Sequence, residues 1–155
     1  MNIDEIFMLD PDATNYEELS DTDLYTLISL DKNAYVSTNS LSELFTRKHP
    51  LAYKSAKQIW DNNLGDDLLK AMALTVIYEF RADEAIKIFF SEEAEKNIPA
   101  LESMTNIYLI ENLKLNRNSQ PLANLIKKRI DSASRAHFMD IERINEFNET
   151  YKTLY

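Results

Sequence analysis

His49 and His137 are the only two imidazoles in the chain, so any general acid or base of the histidine type must be one of them. Each stands where a helix would end. His49 lies between Lys48 and Pro50, and His137 follows Arg135 and Ala136, positions that suit capping or solvent better than catalysis. No His-x-x-x-His or Glu-x-x-His pair occurs, which removes the usual zinc and di-iron sites carried on helices. The carboxylate pairs Asp66/Asp67, Asp83/Glu84 and Glu92/Glu93 are adjacent, so on a helix they point about 100° apart rather than at one ion. They read as acids in first helical turns. A phosphate-binding loop needs glycines, and Gly65 is the single one; a Gly-x-Ser-x-Gly elbow is likewise missing. The nearest approach to a reactive set is Arg129, Arg135 and His137, which supports an alternative reading as a divergent helical nuclease or hydrolase. The leading expectation is a chain with no catalytic residues, no cofactor and no metal, hence not an enzyme.

The elements that would position these groups are helices. One glycine and four prolines cannot supply a turn every ~8–12 residues, as a multi-stranded β domain requires. Pro11, Pro50, Pro99 and Pro121 instead mark helix starts, because proline fits a first turn and costs roughly 3 kcal/mol inside a helix. Ser20-Asp21-Thr22-Asp23 and Ser40-Leu41-Ser42-Glu43 both read as capping boxes, and so as further helix starts. Apolar spacing predicts helices over 16–30 (with a break near Ser20), 33–48, 50–62, 66–80, 82–96, 98–115, 121–135 and 138–153. From Leu68 to Phe80 the pattern is apolar nearly all round, which predicts a central helix. Met72, Phe80, Phe89, Phe90 and Met104 are expected in the core. The fold class is therefore all-α, with antiparallel helix hairpins stacked as an irregular bundle or a short α-solenoid. A chain of 155 residues suits one domain spanning 1–155, with residues 1–12 expected as a poorly ordered acidic segment.

Charge is distributed unevenly. Residues 1–31 hold nine acids and no Lys or Arg, whereas the rest of the chain balances 17 acids with 17 bases. The whole net charge of −9 thus lies in the first fifth of the chain. Tyr16 and Tyr25 are interleaved with these carboxylates and can add rigid contact area. Such a block attracts a basic partner and repels nucleic acid and anionic membrane. The expected partner-binding residues are Tyr16, Glu17, Glu18, Asp21, Asp23, Tyr25 and Asp31. The opposite stretch from Arg117 to Arg135 includes Lys127, Lys128 and Arg129, but it lacks an aromatic platform and reads as a solvated face or an intramolecular partner. Absence of cysteine fits a reducing compartment, and no basic n-region or long apolar window marks export or a membrane span; a cytoplasmic location is expected.

The turn Leu64-Gly65-Asp66-Asp67, followed by Leu68, Ala71, Ala73 and Leu74, resembles the inner helix of HEAT-like repeats. Together with the acidic N-terminal block, the pattern from Leu41 to Leu113 resembles the helical immunity proteins of bacterial polymorphic-toxin and contact-dependent growth inhibition systems. That resemblance implies a protein that binds one cognate toxin, commonly a basic RNase or DNase, and blocks its active site or substrate groove. It further implies no direct contact with nucleic acid or membrane, and a monomer before binding. A generic adaptor that binds peptides along a solenoid groove is the other non-enzymatic reading.

Overall fold

The computed structural model describes residues 2–8, 10–111 and 113–155. Met1 and Leu9 of the N-terminal segment, Asn112 of the expected 98–115 helix and the Arg117 side chain lie outside the described residues. The chain folds into α1 (Ile3–Ile6), α2 (Asp21–Leu30), α3 (Ala34–Thr46), α4 (Pro50–Asp61), α5 (Asp67–Phe80), α6 (Ala82–Phe89), α7 (Ile98–Ile110), α8 (Gln120–Ser132) and α9 (Ile141–Leu154). Short 3-10 turns occupy Pro11–Ala13, Tyr16–Glu18, Glu92–Ala94, Leu113–Leu115, Arg117–Ser119 and Arg135–His137. No strand occurs among the described residues.

Local chemistry explains most boundaries. Side chains of Ser20, Asn33, His49, Asp66, Asn97 and Asp140 accept hydrogen bonds from first-turn N–H groups, which would otherwise have no partner inside the helix. Pro50, Pro99 and Pro121 sit in the first turns of α4, α7 and α8. The second expected capping box is not a helix start. Ser40 is buried within α3, whose true cap is Asn33, its carboxamide oxygen accepting from both Tyr35 and Val36. The expected 82–96 helix also stops early, at Phe89, and the chain then turns through Glu92–Ala94. The buried Arg129 guanidinium satisfies the carbonyls of Phe89 and Ser91 there, so the helix need not continue to keep them bonded.

α5 is the central element, in contact with α3, α4, α6 and α7. Its Leu69, Ala73, Leu74, Val76 and Ile77 are fully buried. Its apolar surface is nevertheless not covered all round: Leu68 is 56% exposed and Phe80 is 38% exposed. Of the other aromatic and methionine positions expected in the core, Phe89 and Met104 are fully buried, Met72 is half-buried, and Phe90 faces solvent. α3, α5, α7 and α9 touch in series, and α2 contacts both α3 and α4, so the helices form an all-α bundle around one continuous core. Within the N-terminal segment, Ile6 of α1 is completely buried and belongs to that core. Among the described residues, no helix is long and apolar enough to cross a membrane.

Candidate protein-binding surface

A single guanidinium ties the turn at Tyr16–Glu18 and the start of α2 to the end of α3. Arg47, at the C-terminal cap of α3, donates Nη1 to Asp21 Oδ1 at 2.8 Å and Nε to Glu43 Oε1 at 2.7 Å. Its Nη1 also reaches the Leu19 carbonyl, and Nη2 reaches the carbonyls of Tyr16 and Glu17. The five-donor fork of arginine matches this task, whereas a lysine offers one compact charge. The hydrogen bond to Asp21, then that to Glu43, holds the Arg47 pKa above its ordinary value. His49 faces the same carboxylate, with Nε2 3.6 Å from Asp21 Oδ2, while its Nδ1 accepts the Leu51 N–H as the cap of α4.

This clamp decides what the expected binding residues can do. Asp21 is half-buried and paired, and Asp23 is tied to Ser20, whose hydroxyl donates to its Oδ2 at 2.6 Å. Asp31 lies at the other end of α2, about 15 Å away at 1.5 Å per residue, in a left-handed conformation with φ 47°. Its Oδ2 accepts the Gly65 N–H at 3.2 Å, so this acid braces the turn before α5. Tyr25 turns toward α4, with the Lys54 ammonium 4.8 Å from its ring centroid. Tyr16 packs half-buried against the core. Glu17 and Glu18 are the two expected acids that stay exposed, and Glu18 accepts from Asn15 Nδ2 at 2.9 Å. The seven residues therefore divide between the two ends of α2 and a flank against α4.

A shallow acidic depression forms beside Glu17, where Asp12, Tyr16, Tyr35 and Glu43 meet. Tyr35 is mostly exposed and donates its hydroxyl to Asp12 Oδ1 at 2.7 Å. That hydrogen bond raises the Tyr35 pKa, since losing the proton would set a phenolate against a carboxylate. Sequence reasoning missed Arg47, Tyr35 and Glu43. A signal for two of them was present: Arg47 is the first arginine after the acidic block, and Glu43 precedes it by four residues on one helix face.

Arg129 and His137 both line a cavity between the start of α7 and the end of α8, whereas Arg135 is not among its lining residues. Arg129 is buried and turned toward backbone carbonyls, Arg135 donates to Asn145 Oδ1 at 2.9 Å, and His137 is exposed. Among the described residues no three His, Asp or Glu side chains converge as metal ligands. No protein-family model, curated protein or solved structure matches the chain.

Proposed function

We propose that the chain acts by binding a basic protein through the exposed acidic face around Glu17, Glu18, Asp12 and Tyr35, as an immunity-type inhibitor in the cytoplasm. The observation that carries this reading is the one-sign block itself: nine carboxylates and no base in residues 1–31. Arg47 holds part of that block rigidly, which lowers the ordering cost of binding, and Tyr35 adds an aromatic contact among the acids. In this mechanism the face approaches the phosphate-binding groups of a toxin and excludes its nucleic-acid substrate. It performs no bond-making chemistry. Charge complementarity acts first on the association rate and is screened beyond about 8–10 Å at physiological ionic strength.

The test pairs the purified chain with the basic protein encoded immediately upstream of it. A tight complex is expected, with association slowed by the double variant Glu17→Lys/Glu18→Lys far more at low salt than at high. Asp21 is unsuitable for this test because its reversal would also break the Arg47 clamp. Absence of a complex, or a salt dependence identical in wild type and double variant, overturns the proposal.

A further inference from the structure

The start of α7 and the end of α8 flank an open cavity of about 380 Å³ on elements that play no part in the acidic face. That is the small end of the range for small-molecule sites, about 300–1,000 Å³. Its apolar wall comes from Ile98, Leu101 and Leu125. Its charged wall comes from Lys96, Lys128 and Arg129, with Glu95 as the acid against them. None of these three cations forms an ion pair among the described residues.

Arg129 is the unusual member. It is 8% exposed, and its guanidinium lies 4.5 Å from the Phe89 ring centroid. Nη1 donates to the carbonyls of Phe89 and Ala94 and Nη2 to that of Ser91, which meets the partial negative charge at the end of α6. Nε is buried without a hydrogen-bond partner. A buried cation with no carboxylate at ion-pair distance is costly, and burial, partly offset by the field of Glu95, pushes the Arg129 pKa down. Three bases against one acid leave the cavity an excess of two positive charges, and with the Arg129 guanidinium turned to backbone carbonyls, Lys96 and Lys128 are the cations free to meet an anionic head.

We infer that this cavity binds a small amphipathic carboxylate. The anionic head sits at the Lys96 and Lys128 side, in the field of Arg129, and the apolar body lies along Ile98, Leu101 and Leu125. The site is independent of the proposed protein-binding face and requires no toxin.

Titration of the full chain with sodium octanoate, followed by amide NMR shifts, tests this directly. Saturable shifts are expected at residues 95–101 and 125–137. Octanol, which has the body without the charge, and acetate, which has the charge without the body, should each bind at least about tenfold more weakly. Lys128 is exposed, so Lys128→Glu should keep the wild-type melting temperature while weakening octanoate by about tenfold or more; Lys96→Glu repeats the measurement from the other helix end. Shifts that do not saturate or lie elsewhere, octanol binding as tightly as octanoate, or unchanged affinity in both lysine variants would overturn the assignment.

Discussion

Arg47 and Asp21 are joined at 2.8 Å across 26 positions of sequence, and the same guanidinium also holds the carbonyls of Tyr16, Glu17 and Leu19. One side chain on α3 thus sets both the shape of the 3-10 turn at Tyr16–Glu18 and the start of α2. Arg47→Ala should cost about 1.5–3 kcal/mol in urea unfolding, the range for hydrogen bonds to charged groups. Hydrogen exchange should quicken at the Glu18 and Leu19 amides, which bond to Asn15 and Tyr16 within this turn. Arg47→Lys should recover only part of the loss. Unchanged stability and exchange would show that the turn holds without the clamp.

Leu68 and Leu69 are neighbours with opposite environments. Leu69 is completely buried and Leu68 is 56% exposed. Leu69→Ala should destabilise the fold by about 2–5 kcal/mol, through lost burial and the cavity left behind. Leu68→Ala should stay within about 1 kcal/mol of wild type. Chemical denaturation of both variants checks the difference, and equal losses would contradict the side-chain placement in α5.

Gly65 has φ +67°, and a Cβ built there would lie 2.3 Å from Leu69 Cδ2. Gly65→Ala therefore meets both a disfavoured backbone and a buried side chain that has little room to retreat. The expected loss is about 1–3 kcal/mol, read as a lowered melting temperature. An unaltered melting temperature would mean that the turn can adopt another conformation at no cost.

Tyr108 is buried, stacks edge-on against Phe147 with centroids 5.4 Å apart, and shares a 3.2 Å hydrogen bond with the Tyr155 hydroxyl. Burial first, and that hydrogen bond second, push its pKa well above the tyrosine range. The unfolded chain loses this proton near pH ~10 while the folded chain retains it, so the contribution is complete below that pH and lost as pH rises beyond it. Melting temperature should therefore fall as pH rises beyond ~10, and Tyr108→Phe should flatten the fall. The variant itself should cost about 0.5–1.5 kcal/mol at neutral pH. An equally steep alkaline fall in Tyr108→Phe would assign the effect to other groups.

The helical architecture was legible in the sequence because its signals are local. Pro50, Pro99 and Pro121, the caps at Ser20 and His49, and apolar steps of three and four all act within a turn or two of the chain. Errors arose where a local signal had a distant competitor. Ser40 resembles a cap but lies inside a helix that Asn33 had already started, and the expected 82–96 helix ends where Arg129 meets its carbonyls from 40 positions away.

The order of residues alone determined that the chain is helical and that its negative charge is concentrated in residues 1–31, and composition made glycine-dependent phosphate loops and cysteine ligands unavailable. Tertiary structure decided which of those charges face outward. Asp21 and Asp31 look equivalent to Glu17 and Glu18 in sequence, yet Arg47 engages the first across 26 positions and Gly65 the second across 34. It also converted Arg129 from a surface base into a buried one. Sign and number of charges are properties of residues, but exposure and pairing are properties of contacts between segments far apart in the chain, which no local pattern encodes.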